Sequence, residues 1–167
     1  MTTTPTRIGM PLDEFLELFD QQPFELIDGE RVPKLPGVVV HSEVIHAILF
    51  AIAAFLAEHK IFGTPRAEMT FVLPNHQERD WVKGSRIPDV MYFVEDRFEK
   101  YKAENPDYRM RPLALVPDWV VEVISPTDKY TEVNEKVQLY LSDGLRLVWL
   151  VDPATRSATI FRPDIAP

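Results

Sequence analysis

Apolar residues recur along this chain at two spacings, and the switch between them marks out its elements. Between Pro11 and Asp20 they stand at Leu12, Phe15, Leu16 and Phe19, behind Asp13 and Glu14. That spacing predicts a short amphipathic helix whose early acids suit the helix dipole. Phe24 to Pro33 reads as two short strands around Asp28-Gly29, a type I′ hairpin signal. After a break at Pro36-Gly37, Val44, Ile45, Ile48, Leu49, Ile52, Phe55 and Leu56 predict a helix from about Ser42 to Lys60. Phe50 and several alanines occupy its other face, so the expectation is a helix buried on most sides, ended by Gly63 to Pro65.

Ala67 to Leu73 alternates like a strand, and Asn75 to Ser85 is a polar loop carrying Trp81. Ile87 to Phe93 is the next strand, its Pro88 marking a start or an edge. Glu95 to Glu104 suits a short helix, followed by an irregular connection to Pro117. The most apolar stretch is Asp118-Trp-Val-Val-Glu-Val-Ile-Ser125, which reads as a strand covered on both faces. Past Pro126, Thr127 or Asp128 can cap a helix to about Ser142, with Gly144 as its C′ residue. Leu145 to Val151 and Ser157 to Arg162 are the last strands. These elements predict an α/β or α+β domain over residues 11–167, with a mixed sheet, packed helices and an N-terminal tail over 1–10.

Composition narrows the function classes. Of 167 residues, 46% are hydrophobic and 26% charged, as in ordinary soluble domains. No run of membrane-spanning length and no signal-peptide pattern is read, and there are no cysteines. Disulfides and thiolate metal sites are therefore excluded, and a reducing cytoplasm is the expected location. The net charge of -8 argues against a surface built for tight nonspecific nucleic-acid binding, without excluding a local groove.

Chemistry enters with Glu122, a carboxylate in the middle of the most apolar strand. An unpaired charge there would cost several kcal/mol, so it needs a cation, a metal ion or a proton. Alternation puts Asp89 on one face of its own strand with Ile87 and Met91. Two such strands side by side would bring the carboxylates together, and a divalent cation is the usual neutraliser. Oxygen ligands favour magnesium or manganese over zinc. Lys136 flanks the apolar stripe Val133, Val137, Tyr140 and Leu141 of the following helix and is placed to reach the pair; Lys129 is a second candidate. A plain buried ion-pair network explains the same residues.

Several stretches together resemble a known family. They are Arg86-Ile-Pro-Asp89, Pro117-Asp-Trp-Val-Val-Glu-Val-Ile-Ser-Pro126, Glu135-Lys136 with Tyr140, and Leu147-Val-Trp-Leu-Val-Asp-Pro153. Phe24-Glu-Leu-Ile-Asp-Gly-Glu30 and His41 fit the same pattern. The chain thus resembles the Uma-two family, a branch of the PD-(D/E)XK, restriction-endonuclease-like superfamily, from about Pro11 to Arg162. The resemblance implies a nuclease-type core in which Asp89, Glu122 and the backbone carbonyl of Val123 hold the metal. The superfamily's lysine two residues after the Glu is Ile124 here; the resemblance implies that it has moved to the next helix, as Lys136. Members of the family are expected to continue with further strands beyond the position of Arg162, and a homodimer is expected both from the exposed edge of the last two strands and from the resemblance.

His41 and Glu25 are auxiliary candidates. A His before a helix is more often a surface cap than a site residue, and Glu25 either adds a carboxylate to the metal shell or points into water. Asp152 before Pro153 reads as a turn residue. The expected function is Mg2+- or Mn2+-dependent hydrolysis of DNA phosphodiesters by Asp89, Glu122 and Lys136. The alternatives are an inactive binding or assembly module, or a hydrolase of small phosphorylated substrates.

Overall fold

The computed structural model describes residues 7–35, 37–126 and 128–163. In chain order the elements are β1 (Met10–Pro11), α1 (Leu12–Gln21), β2 (Phe24–Ile27), β3 (Glu30–Pro33), α2 (Val39–His59), β4 (Gly63–Ala67), β5 (Phe71–Val72), β6 (Trp81–Val82), β7 (Ser85–Arg86), β8 (Val90–Val94), α3 (Arg97–Glu104), β9 (Trp119–Val123), α4 (Tyr130–Ser142), β10 (Leu147–Asp152) and β11 (Ser157–Phe161). They fall into two compact units, one of residues 7–35, 70–87 and 112–115, the other of 37–69, 88–111 and 116–163.

The smaller unit is an antiparallel sheet in the order β3-β2-β7-β5, with α1 and a β1-β6 ribbon. The β2–β3 turn has the backbone its sequence predicts, with Asp28 at φ 51° and Gly29 at φ 87°. The apolar stripe of α1 buries Leu12 and Phe15 against Phe24, Leu26, Val72 and Val82. Met10–Pro11 pairs with Trp81–Val82, so the end of the expected tail is strand. The expected polar loop before Ser85 likewise contains β6, and Ser85 itself opens β7. Two-residue strands are too short to leave a periodic signal.

The larger unit holds a mixed five-stranded sheet in the order β11-β10-β9-β8-β4. Neighbours β9 and β10 are parallel and joined through α4, and the other pairs are antiparallel. Strand β9 is central, as its unbroken apolar run requires, and Val120 and Val121 are fully buried. Val90, Val121 and Val123 form a core with Ile45 of α2. Val137 and Tyr140 of α4 are buried as the predicted stripe requires.

Four expectations are corrected. The single strand Ala67 to Leu73 is two: Glu68 turns into the left-handed region at φ 48°, leaving β4 in one sheet and β5 in the other. Thr127 lies outside the described residues, and Asp128 does not cap α4 but takes the Ser125 N–H at 2.8 Å. Helix α2 is not buried on most sides: Ile45 is its one buried residue, and Phe50 is 67% exposed. A helix laid on a sheet hides only the stripe over the strands, here Ile45, Ile48, Leu49 and Ile52. And α2 is long and apolar enough, by length and composition, to cross a bilayer, although no such run was expected. In this fold its apolar length lies along the sheet.

Candidate metal centre

The site begins where the β8–β9 ladder stops. Val90 pairs with Val121, so the same antiparallel register sets Asp89 opposite Glu122 and Pro88 opposite Val123. Ile124 sends its N–H to Val151 of β10 at 2.8 Å, so the peptide groups of Val123 face the β8 side. Pro88 has no N–H to offer there, and the ladder cannot take up the Val123 carbonyl. Asp89 fills the gap from its side chain: its Oδ2 accepts the Val123 N–H at 2.8 Å. Its backbone is held in turn, the Asp89 carbonyl accepting the Glu68 N–H at 3.0 Å. The Pro-Asp dipeptide thus opens a notch between two central strands and places a carboxylate, 1% exposed as a residue, inside it.

His41 reaches the notch from the first turn of α2. Its Nε2 lies 2.9 Å from the Val123 carbonyl oxygen and 3.2 Å from Asp89 Oδ2. Both are acceptors, so Nε2 carries the proton in this arrangement. The surface-cap reading of His41 is corrected: α2 starts at Val39, and the imidazole is turned inward.

Glu122 is gripped from α4. Lys136 Nζ lies 2.9 Å from its Oε2, and the Tyr140 hydroxyl donates to its Oε1 at 2.5 Å. Lys136 and Tyr140 are four residues apart, so one helix face engages both carboxylate oxygens. Lys136 is where its flank position on the stripe predicted. The role of Tyr140 was missed; its buried hydroxyl on a helix facing a buried acid was the available signal. Lys129 pairs with Glu132 at the surface, 2.7 Å away.

Glu25 does not point into water. It is buried in the smaller unit, where its Oε1 accepts the Ile87 N–H at 2.7 Å. Lys34 Nζ contacts the Ile87 carbonyl at 3.4 Å, and the Arg86 guanidinium donates to the carbonyl of Leu26 at 2.8 Å. These contacts fix the chain immediately before Pro88. Asp152 is the turn residue expected, its Oδ1 accepting the Ala154 N–H at 2.9 Å.

Among the described residues no three His, Asp or Glu side chains form a metal-binding group. The ligand set that the family resemblance implies, Asp89, Glu122 and the Val123 carbonyl, would be all oxygen, which suits a hard cation such as Mg2+ or Mn2+ better than zinc. Both carboxylates are buried, Asp89 against the Val123 amide and the His41 imidazole, Glu122 against the Lys136 ammonium.

Comparison with known proteins agrees on the fold. The chain aligns with the crystal structure of "a putative nuclease belonging to DUF820" from Anabaena variabilis, with a TM-score of 0.68 and 24% identity over 94% of this chain and 82% of the other. At that identity the likeness speaks for the fold, a mixed sheet with flanking helices as the sequence predicted. No curated protein matches. The family model Uma2, described as "Putative restriction endonuclease", matches residues 12–166, nearly the whole chain. With the notch, the Pro-Asp dipeptide and the acidic strand in place, the chain belongs to the Uma2 family of restriction-endonuclease-like proteins.

Proposed function

We propose that the protein is a Mg2+- or Mn2+-dependent endonuclease that hydrolyses DNA phosphodiester bonds, working as a cytoplasmic homodimer. One observation supports the reading: Pro88 ends the ladder beside Val123, and a buried carboxylate, Asp89, takes the Val123 N–H in its place on the strand next to the one that carries Glu122. Asp89, Glu122 and the Val123 carbonyl would hold the ion. When bound, such an ion polarises the scissile phosphate and lowers the pKa of a water.

The remaining work falls to side chains. Lys136, held on Glu122, would offset charge growing on the phosphate oxygens or orient the attacking water. Tyr140 fixes the Glu122 rotamer through its hydroxyl. His41 holds the Asp89 carboxylate and the Val123 carbonyl together through one N–H. Each of these oxygens has a further lone pair, so the His41 N–H would orient them while they held an ion.

A second reading has support of its own. Both oxygens of Glu122 already have hydrogen-bond donors from α4, as a purely structural acid would. A binding module that kept the fold without turnover fits that observation. Plasmid nicking with Mg2+, Mn2+ and EDTA separates the two. The nuclease reading expects nicking with either metal, none with EDTA, and a loss of at least ~10³-fold in Glu122→Ala. Equal nicking by wild type and Glu122→Ala sinks the assignment, and a folded wild type that nicks with neither metal supports the module.

A further inference from the structure

The outer face of α2 has no role in the notch, and among the described residues it is left exposed. Val39, Phe50 and Phe55 are 75%, 67% and 52% exposed, and Ala47, Ala51 and Ala54 are exposed between them. Along the helix, Val39, Glu43, Ala47, Phe50 and Ala54 recur at steps of four, four, three and four, the spacing of a seam that meets a neighbouring helix. A soluble monomer rarely exposes such a continuous apolar strip.

We propose that this face packs, antiparallel and about a two-fold axis, on α2 of a second copy of the chain. The proposal rests on the homodimer reading above and names its surface. Three observations select this occupant. First, α2 has no Lys or Arg between Val39 and His59, so it lacks the cations that draw a helix to nucleic acid or to an anionic membrane surface. Second, a two-fold midway between Ala47 and Phe50 sets each Phe50 ring against the other copy's Ala47, large into small on both sides. Third, the charges are complementary only when the helices run in opposite directions. The first turn of α2 has no acidic residue, and its N-cap Val38 supplies no side-chain acceptor. In the antiparallel pair, Glu58 of each copy lies beside that first turn of the other, where a carboxylate complements the exposed N–H groups. Parallel packing would instead set Glu43 on Glu43 and Glu58 on Glu58.

The area is at the small end for a specific pair. The exposed half of a 21-residue helix amounts to roughly 500 Å². Ile61 and Phe62, 46% and 83% exposed, extend the strip beyond the helix. Two copies together would bury roughly 1,000 Å², about the least that a specific interface uses.

The test uses the full chain at micromolar concentration. Light scattering should give twice the chain mass for wild type and a single mass for Phe50→Glu, with dissociation at least ~100-fold easier and an unchanged circular dichroism spectrum, because Phe50 is exposed. The chain has no cysteine, so Ala47→Cys provides a second measurement. A short bis-maleimide should convert it to a covalent dimer, whereas Ser157→Cys on the β11 edge should stay monomeric on a denaturing gel. A dimeric wild type whose Phe50→Glu variant stays dimeric, or crosslinking through Ser157→Cys alone, overturns the α2 face and leaves the homodimer standing. A monomeric wild type removes the homodimer itself, and monomer that co-floats with phosphatidylcholine vesicles assigns the face to lipid instead.

Discussion

The two ends of β9 each carry a buried acid, used in different ways. Asp118 and Glu122 are both 8% exposed as residues. Asp118 precedes the strand, accepts the Val94 N–H at 3.0 Å and pairs with the Arg97 guanidinium. One carboxylate meets one cation and one backbone amide, and the whole group serves to tie α3 to the sheet. At the other end, Glu122 has Lys136 and Tyr140, while Asp89, opposite it in register, has a backbone amide and an imidazole. Burial alone does not separate a structural acid from a chemical one. The separation comes from charge matching and from whether the ladder beside the acid is closed.

Three experiments break or sharpen that contrast. The largest effect is expected from Lys136→Met. Leaving Glu122 without its ammonium should cost about 3 kcal/mol, lowering the thermal midpoint by roughly 6–12 °C, and should remove DNA nicking. Loss of turnover with an unchanged midpoint would mean that Lys136 acts in chemistry alone, and full turnover would remove it from the site.

The next effect is the response to metal. An ion that binds only the folded state should stabilise wild type by about 2.7 kcal/mol at a hundred times its dissociation constant. Thermal melts in Mg2+ or Mn2+ should show that rise in wild type and in Asp118→Asn, but not in Glu122→Gln. A rise that survives in Glu122→Gln would place the ion elsewhere. Asp118→Asn should itself melt lower by about 1–2 kcal/mol, a modest cost because Arg97 is partly open to solvent, and it should keep its nicking activity.

The smallest effect is a pH response confined to the Asp118 end. Burial, and then the Asp118 charge, hold the Tyr92 phenol above its ordinary value. The neutral phenol is thus favoured by the fold, so this contribution is complete below about pH 10 and is lost as pH rises through the folded value. Ultraviolet titration of the tyrosines should show one phenol ionising late in wild type and earlier in Asp118→Asn. The same profile in both proteins would mean that the charge at this end does not reach the ring.

What the sequence disclosed follows from how local each signal is. The Asp28-Gly29 hairpin, the stripes of α1 and α4 and the apolar run of β9 depend on neighbours a few residues away, and each lies where its pattern puts it. That the strands beside Asp89 and Glu122 are neighbours needed one further step, two apolar strands side by side. His41 and Glu25 were misread because their partners, Val123 and Ile87, are 82 and 62 residues distant and are backbone groups, which no side-chain pattern reports. The outer face of α2 was misread for the opposite reason. Apolar composition was taken to mean burial, and composition says nothing about how much of a helix the sheet can cover.

The grip of α4 on Glu122 has a thermodynamic consequence. Strands β9 and β10 are parallel, and α4 is the crossover that joins them. Whatever engages the Glu122 oxygens does so beside Lys136 and Tyr140, so a ligand on Glu122 that displaced either donor would share a coupling free energy with the seating of α4. Such coupling is reciprocal. A ligand that draws Glu122 away loosens the crossover, and a contact elsewhere that clamps α4 makes Glu122 harder to recruit, by the same factor. Lys136 and Tyr140 therefore tie the position of the Glu122 carboxylate to the seating of α4 on the sheet.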